Sequence, residues 1–236
     1  MSNYREMDQL FSDALGPGRR PVAIAFRESA PAGVETFSGS EPSGCSYWRL
    51  AAAGRVFCTV PADHYNCAIG SYTHNIGLPE NRAAELDQTL AFMSEIGYLK
   101  MEEVPKIPRL PRTPSVVVYA PLRDTPVDPD VVLMSGPPGR IMLIQEAAHR
   151  AGVGAGTPLL GRPTCMAIPA ALAGGFVVSS GCIGNRVYTD LGDDDLYAVI
   201  RGRDLSGVFS ALQTITAANA ALLAYHQGRR RQLATE

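Results

Sequence analysis

The chain has 236 residues, of which 46% are hydrophobic and 19% are charged, and its formal net charge is -2 at pH 7. This length and composition are typical of a globular protein that buries most of its surface without disulfide staples. The small net charge argues against a broad basic surface of the kind that binds nucleic acid or an anionic membrane, so we expect neither partner.

Capping residues, glycine stops and apolar periodicity predict the elements of the first half of the chain. In chain order we expect a helix over 7–15, a strand over 21–26, a short helix over 45–54, a strand over 56–60 and a helix over 81–97. The prolines between 105 and 114 then predict an extended connector.

In the second half, β-branched runs predict strands that are covered on both faces. We expect strands over 116–119 and 131–134, a helix over 139–152, a strand over 176–178, a short helix over 193–200 capped by aspartates, and a long helix over 204–227 stopped by Gly228. Alternating strands and helices predict an α/β or α+β fold. We expect a single globular body over 1–236, built from two pseudo-symmetric related halves with a mixed sheet.

Two cysteine-led blocks, 45–70 and 165–184, resemble one another. Each opens with a cysteine and an alanine-rich stretch, reaches a glycine nine positions later, continues with an apolar run and ends with a second cysteine before a glycine. We interpret the blocks as an internal repeat. A duplicated unit can fold about a pseudo-two-fold axis, which would bring together the cysteines Cys45, Cys67, Cys165 and Cys182.

These four cysteines predict a metal site. The N-terminus has no signal-peptide pattern and no apolar run approaches a membrane span, so we expect a cytoplasmic protein, in which stable disulfides are rare. Cys45 and Cys165 are predicted to begin short helices, whose N-termini favour the thiolate. Four thiolates suit zinc or an iron–sulfur cluster, and the wide cysteine spacings favour a [4Fe-4S] cluster over zinc.

Three further residues lie within or next to these blocks. Cys58 has no counterpart in the second block and is expected to be a buried strand residue. His64 lies where the first block is longer, and its titration range suits acid–base catalysis. Arg186 follows Cys182 and suits an anionic substrate or an anionic cluster, with a salt bridge to the acidic run as the alternative. We therefore take His64 and Arg186 as candidate catalytic residues.

Several of these segments together resemble one known family. They are Arg-Pro-Val-Ala-Ile near the start, Val-Tyr-Ala-Pro-Leu from 118, the four cysteine positions, and Ser-Gly-Cys-Ile-Gly-Asn-Arg over 180–186. The chain resembles the DUF169 (ArCR) proteins of archaea and bacteria over nearly its whole length. The resemblance implies family cysteines that match the four but none that matches Cys58, and it implies no activity.

From these residues we expect an iron–sulfur protein with redox or sulfur-transfer chemistry on a small molecule. As an enzyme it would be an oxidoreductase or a sulfur-handling enzyme. We expect a small-molecule substrate and an electron-transfer partner. Whether the protein forms a homo-oligomer stays open. Two alternatives also stay open. One is a non-catalytic binding module with structural zinc or buried thiols, and the other is a thiol–disulfide redox protein.

Overall fold

A computed structural model describes residues 3–154 and 159–234, and in this part of the chain helices cover both faces of one mixed sheet. The α-helices are α1 (Tyr4–Leu15), α2 (Gly44–Ala52), α3 (Ala68–Thr73), α4 (Glu85–Glu95), α5 (Pro138–Arg150), α6 (Ala167–Gly174), α7 (Ile183–Thr189) and α8 (Leu205–Leu233). The strands are β1 (Val22–Arg27), β2 (Glu35–Thr36), β3 (Phe57–Thr59), β4 (Val116–Pro121), β5 (Val131–Gly136), β6 (Leu159–Leu160), β7 (Phe176–Ser179) and β8 (Leu196–Arg201).

The sheet has the strand order β2-β3-β4-β1-β5-β8-β7-β6. The outermost pairs, β2 with β3 and β6 with β7, are parallel, and all other neighbours are antiparallel. The first four strands of the chain therefore occupy one half in the order 2-3-4-1, and the last four occupy the other half in the order 6-7-8-5. The predicted mixed sheet is confirmed. The agreement in strand order supports the internal repeat, which stays a prediction because strand order alone does not establish a symmetry axis.

Strand alternation gives the sheet two buried faces. In β1, Val22 and Ile24 belong to one hydrophobic cluster, whereas Ala23 belongs to another. The first cluster packs against α2 and α6, and the second packs against α1, α5 and α8. We call the face under α2 and α6 the site face. Because both faces are covered, the central strands are apolar throughout, as their β-branched runs predicted.

One predicted helix is wrong, and several boundaries differ. The segment predicted as a helix over 193–200 contains strand β8, which pairs with β5 and β7 in the sheet interior. Its Leu-Tyr-Ala-Val-Ile run has strand character, and the preceding aspartates do not cap a helix: Asp195 instead binds Arg19 at 2.9 Å. The helix expected from residue 81 begins at Glu85. Helix α8 continues through Gly228 to Leu233.

Helix α8 is the longest in the described structure and is apolar. The segment Gly202–Leu233 is long and apolar enough to cross a membrane by length and composition, with a window of mean hydropathy 1.3 that is 17% buried. Its first turns pack on the sheet through Leu205, Val208 and Leu212. The rest of the described chain holds no second such segment. One such helix is weak evidence for a membrane span, and the structure is consistent with a soluble protein.

We expect substitution of Gly202 by alanine to destabilise the fold. Gly202 follows β8 and donates its N–H to the Asp130 carbonyl at 2.7 Å, and an added Cβ would lie 1.8 Å from the carbonyl oxygen of Pro129. Because the Pro129 carbonyl belongs to the backbone, it can move away only if the start of β5 moves. The loss should be about 3 kcal/mol, measured by urea unfolding.

Gly228 provides the control for this substitution. It lies inside α8, and nothing stands within 4 Å of an added Cβ. Gly228→Ala should therefore raise stability by up to about 1 kcal/mol through helix propensity. Equal stabilities for Gly202→Ala and the unmodified chain would show that the Pro129 contact is not rigid.

Candidate functional site

The four cysteines of the two blocks lie where short helices begin. Cys45 is the second residue of α2, and Cys165 lies in the 3-10 turn Thr164–Met166 that leads into α6. Cys67 and Cys182 are the residues immediately before α3 and α7. Each block thus contributes one cysteine at a helix that packs on the site face and one at the helix that follows the next strand.

The structure brings these four thiols within electrostatic range of one another. Burial is the largest cause of the raised pKa of Cys165. The charges of Cys45 and Cys67 raise this pKa further, and the charge of Cys182 adds a smaller effect. Cys67 and Cys182 likewise raise the pKa of Cys45, and Cys182 raises that of Cys67. Every pair in the set therefore interacts. We call Cys45, Cys67, Cys165 and Cys182 the cysteine cluster.

Backbone contacts hold the members of the cysteine cluster in place. The Cys67 sulfur accepts the Gly70 N–H at 3.2 Å, so it acts as the N-cap of α3. A side chain at Gly70 would lie 3.3 Å from that sulfur, and the glycine leaves the approach open. The Cys182 N–H donates to Thr164 Oγ1 at 2.6 Å, which ties α7 to the turn carrying Cys165. Each of these contacts lies within or next to one block; between the blocks, the Cys165 Sγ lies 4.0 Å from the carbonyl oxygen of Ile69.

Burial divides the cysteine cluster into two sides. Cys45 and Cys165 are buried, with 8% and 6% of their surface exposed, whereas Cys67 and Cys182 are half-buried. Tyr98 lies on the half-buried side, where burial and the Cys182 charge raise its pKa, and the Arg162 guanidinium stacks on its ring at 4.4 Å. A molecule that approaches the cluster therefore meets Cys67 and Cys182 first.

The expectation that helix N-termini would favour the thiolates is wrong for the free protein. Burial raises the pKa of Cys45 to about 12, against the lowering effects of Asn185 and Ser43. Burial also raises the pKa of Cys165 and of Cys67. Desolvation outweighs the helix dipole here because a short helix supplies only a partial charge. Without a bound cation, these three cysteines are thiols at neutral pH.

The cysteine cluster does not converge on a single point. Across residues 3–154 and 159–234, no group of three or more His, Cys, Asp or Glu side chains is placed to hold one metal ion. All five cysteines are free thiols. The four sulfurs thus lie close enough to interact electrostatically, but as described they are not arranged to hold one metal ion.

Cys58 lies apart from the other four cysteines. It is 1% exposed on β3 and packs with Ala25 and Val118, whereas its neighbour Phe57 belongs to the hydrophobic cluster of the site face. Successive strand residues point to opposite faces, so Cys58 points away from the cysteine cluster. The expectation that Cys58 is a buried strand residue is confirmed.

His64 is a buried imidazole behind α2. It is 2% exposed, its Nε2 lies 2.9 Å from Thr59 Oγ1, and its ring stacks on that of His74. Burial, aided by the charge of His74, lowers the pKa of His64 to about 3. The ring is therefore neutral at physiological pH. A catalytic role for His64 stays a prediction, and this position suits a neutral partner better than a proton donor.

Arg186 is held by main-chain oxygens. Its guanidinium donates to the carbonyls of Ser180, Gly192 and Asp195, and it lies 4.0 Å from the Asp193 carboxylate. These contacts tie the segment after Cys182 to the start of β8. The alternative in which Arg186 pairs with the acidic run has support in this geometry, and its catalytic role stays a prediction.

Two sets of residues at the site were not expected from the sequence. Asn185, one turn after Cys182, is 2% exposed and its carboxamide has no hydrogen-bond partner in the described structure. Tyr98 and Arg162 come from distant loops. Asn185 could have been found by its spacing, because it lies three residues after Cys182 on a helix face directed inward.

Comparisons with known proteins give one match. The model of the DUF169 family, described as uncharacterised ArCR, matches residues 11–210. No curated protein matches the chain, and no solved structure matches it. The match contains all four members of the cysteine cluster and ends within the first turns of α8.

Proposed function

Because the chain belongs to the DUF169 family, whose description assigns no activity, we propose from its own site that it is an iron–sulfur protein. The observation that carries the proposal is the cysteine cluster: two pairs of cysteines, about 120 residues apart in sequence, interact pairwise at one place while Cys58 points elsewhere. Four cysteine thiolates are the usual ligand set of a [4Fe-4S] cluster.

The spacing of the four cysteines along the sequence favours a cluster over zinc. A tetrahedral zinc ion holds each sulfur at about 2.3 Å, which requires the four sulfurs to be nearly in contact with one another. Such zinc sites usually take their cysteines from pairs about two to four residues apart, and Cys45, Cys67, Cys165 and Cys182 contain no such pair. A cubane cluster binds each cysteine through a separate iron at its corners and therefore needs more widely separated sulfurs.

The surrounding residues also suit a polynuclear anionic group. The Gly70 N–H points at the Cys67 sulfur, and it would stabilise the thiolate when iron is bound. Burial that raises the pKa of Cys45 and Cys165 makes their thiolates depend on bound cations, so iron binding and deprotonation would occur together. A [4Fe-4S] cluster supplies one-electron redox chemistry or labile sulfur when it is bound.

We place the access route on the half-buried side. Cys67 and Cys182 are nearer to solvent than their partners, and the stacked pair of Tyr98 and Arg162 flanks that side. The Arg162 guanidinium would attract an anionic small molecule or an acidic electron-transfer partner. A redox or sulfur-handling reaction is therefore proposed to take place there.

Anaerobic purification tests the proposal directly. We expect brown protein with about four iron and four sulfide ions per chain and a broad absorbance band that bleaches on reduction. The experiment measures iron, sulfide and zinc on the same sample. Colourless protein that contains stoichiometric zinc and no iron after anaerobic preparation and reconstitution would contradict the proposal.

One observation favours a second candidate, a binding module with buried, metal-free thiols. The raised pKa values of Cys45, Cys67 and Cys165 describe thiols that are stable and unreactive in the absence of metal. The same values disfavour the thiol–disulfide alternative, which needs an accessible thiolate. Metal-free protein with full stability and no disulfide after mild oxidation would support the binding module.

A further inference from the structure

The carboxamide of Asn185 is buried without a hydrogen-bond partner. Asn185 is 2% exposed, and in residues 3–154 and 159–234 neither its Nδ2 nor its Oδ1 has a protein partner. Almost all buried polar atoms in folded proteins have a partner, because an unsatisfied one keeps the full cost of its desolvation. A carboxamide with both ends unpaired therefore points to a group that binds there.

The position of Asn185 identifies which group that is. It lies three residues after Cys182 on α7, and α7 packs against α2, which carries Cys45. The carboxamide lies near enough to the Cys45 thiol and to the Tyr197 hydroxyl to lower the pKa of each against the larger effect of burial, although neither contact reaches hydrogen-bond geometry. On the other side, Asn185 Oδ1 lies 3.3 Å from the position of a Cβ on Gly181. The side chain thus lies beside Cys45 and beside the residue that precedes Cys182.

We propose that Asn185 donates a hydrogen bond from Nδ2 to a sulfur of the iron–sulfur cluster bound by Cys45, Cys67, Cys165 and Cys182. Sulfide and thiolate sulfur can only accept, so the donor end of the carboxamide must face them. This inference rests on the proposed function. It goes further because it assigns Asn185 a defined effect: the hydrogen bond stabilises the more negative, reduced cluster and raises its reduction potential.

Replacement of Asn185 tests this assignment. Asn185→Leu has a similar shape without the donor, and it should make the reduced form about tenfold less favourable, which is a shift of about 59 mV to more negative potential for a one-electron couple. Asn185→Ala also removes the donor and adds no ionisable group, so its shift should have the same direction. Redox titration followed by EPR measures both variants.

The control is Asn219→Leu. Asn219 lies on α8 and donates to Glu146 at 3.0 Å, far along the chain from the cysteine cluster, so this variant should keep the wild-type potential. The metal-free forms supply a second readout. There Asn185→Leu should melt at a higher temperature than the wild type, since it removes an unpaired buried amide, whereas a purely structural asparagine would make it melt lower.

The outcomes separate this inference from the proposed function. Wild-type protein that binds no cluster overturns both. If the wild-type protein binds the cluster and an Asn185 variant that also binds iron keeps the wild-type reduction potential, the assignment of Asn185 is wrong. The proposed function then still stands. The expected result is a negative shift in Asn185→Leu and in Asn185→Ala, with no shift for Asn219→Leu.

Discussion

Replacement of Cys182 by serine is expected to abolish the iron–sulfur cluster, whereas replacement of Cys58 by serine should leave it in place. Cys182 is a half-buried member of the cysteine cluster, and its charge acts on all three partners. A serine hydroxyl is a hard oxygen donor that is a poor ligand for iron in a sulfide cluster. Iron and sulfide content should fall to near zero, with loss of the visible absorbance.

Cys58 makes a matched control because it is a cysteine of the same chain on the opposite face of the sheet. Its sulfur lies 3.8 Å from Thr36 Oγ1, which offers a new hydroxyl a partner. Cys58→Ser should therefore lose about 1 kcal/mol of stability through burial of a polar atom and keep its iron. Equal iron loss from both variants, with both folded by circular dichroism, would show that the four-cysteine assignment is wrong.

The remaining members of the cluster should not behave identically. Cys45 and Cys165 are both buried, and Cys45 belongs to the hydrophobic cluster of the site face, so serine at either position also buries a hydroxyl group. Cys182→Ser is the cleaner test because its side chain is half-buried. A melting curve of each metal-free variant separates loss of ligand from loss of fold.

The grouping of the four cysteines followed from the sequence because it depends on repetition. Two blocks with the same order of cysteine, glycine and apolar strand are expected to fold alike, and a pair of like units places equivalent residues together. The same argument distinguished Cys58 from the other four cysteines, since only one block contains a cysteine at that position. The buried central strands were also predictable, because β4 and β5 are apolar at nearly every position.

Other features depend on the assembled fold and could not be predicted. Strand β8 is defined by its pairing with β5 and β7, which are distant in sequence. The aspartates that precede β8 resemble a helix cap when only the sequence is considered. The protonation of Cys45 follows from burial by segments distant in sequence, which overrides the local effect of the helix terminus. Tyr98 and Arg162 reach the half-buried side from separate loops. Spacing carries no information about such contacts.

The stability of the metal-free protein is expected to fall steeply between pH 7 and pH 5 because of His64 and His74. Burial lowers the pKa of His64 to about 3 and that of His74 to about 4, and the Nε2 of His74 has no partner in the described structure. Both values lie below the unfolded value of about 6.5, so the unfolded chain binds more protons as the pH falls. The contribution of these two imidazoles to the free energy of unfolding is complete above that value. It is lost as the pH falls toward their pKa values in the folded protein. By pH 5 the loss should be about 2 kcal/mol for each imidazole.

Glutamine at both positions should flatten this dependence. Gln does not titrate, so the double variant His64→Gln/His74→Gln should lose about 4 kcal/mol less than the wild type between pH 7 and pH 5, even if its stability at pH 7 is lower. Other groups packed against His64 are Tyr47 and Thr59, which do not titrate in this window. Exposed His226 on α8 provides the control, and His226→Gln should follow the wild-type profile. Urea unfolding at a series of pH values measures the slopes. A double variant as steep as the wild type would show that the loss arises from other groups.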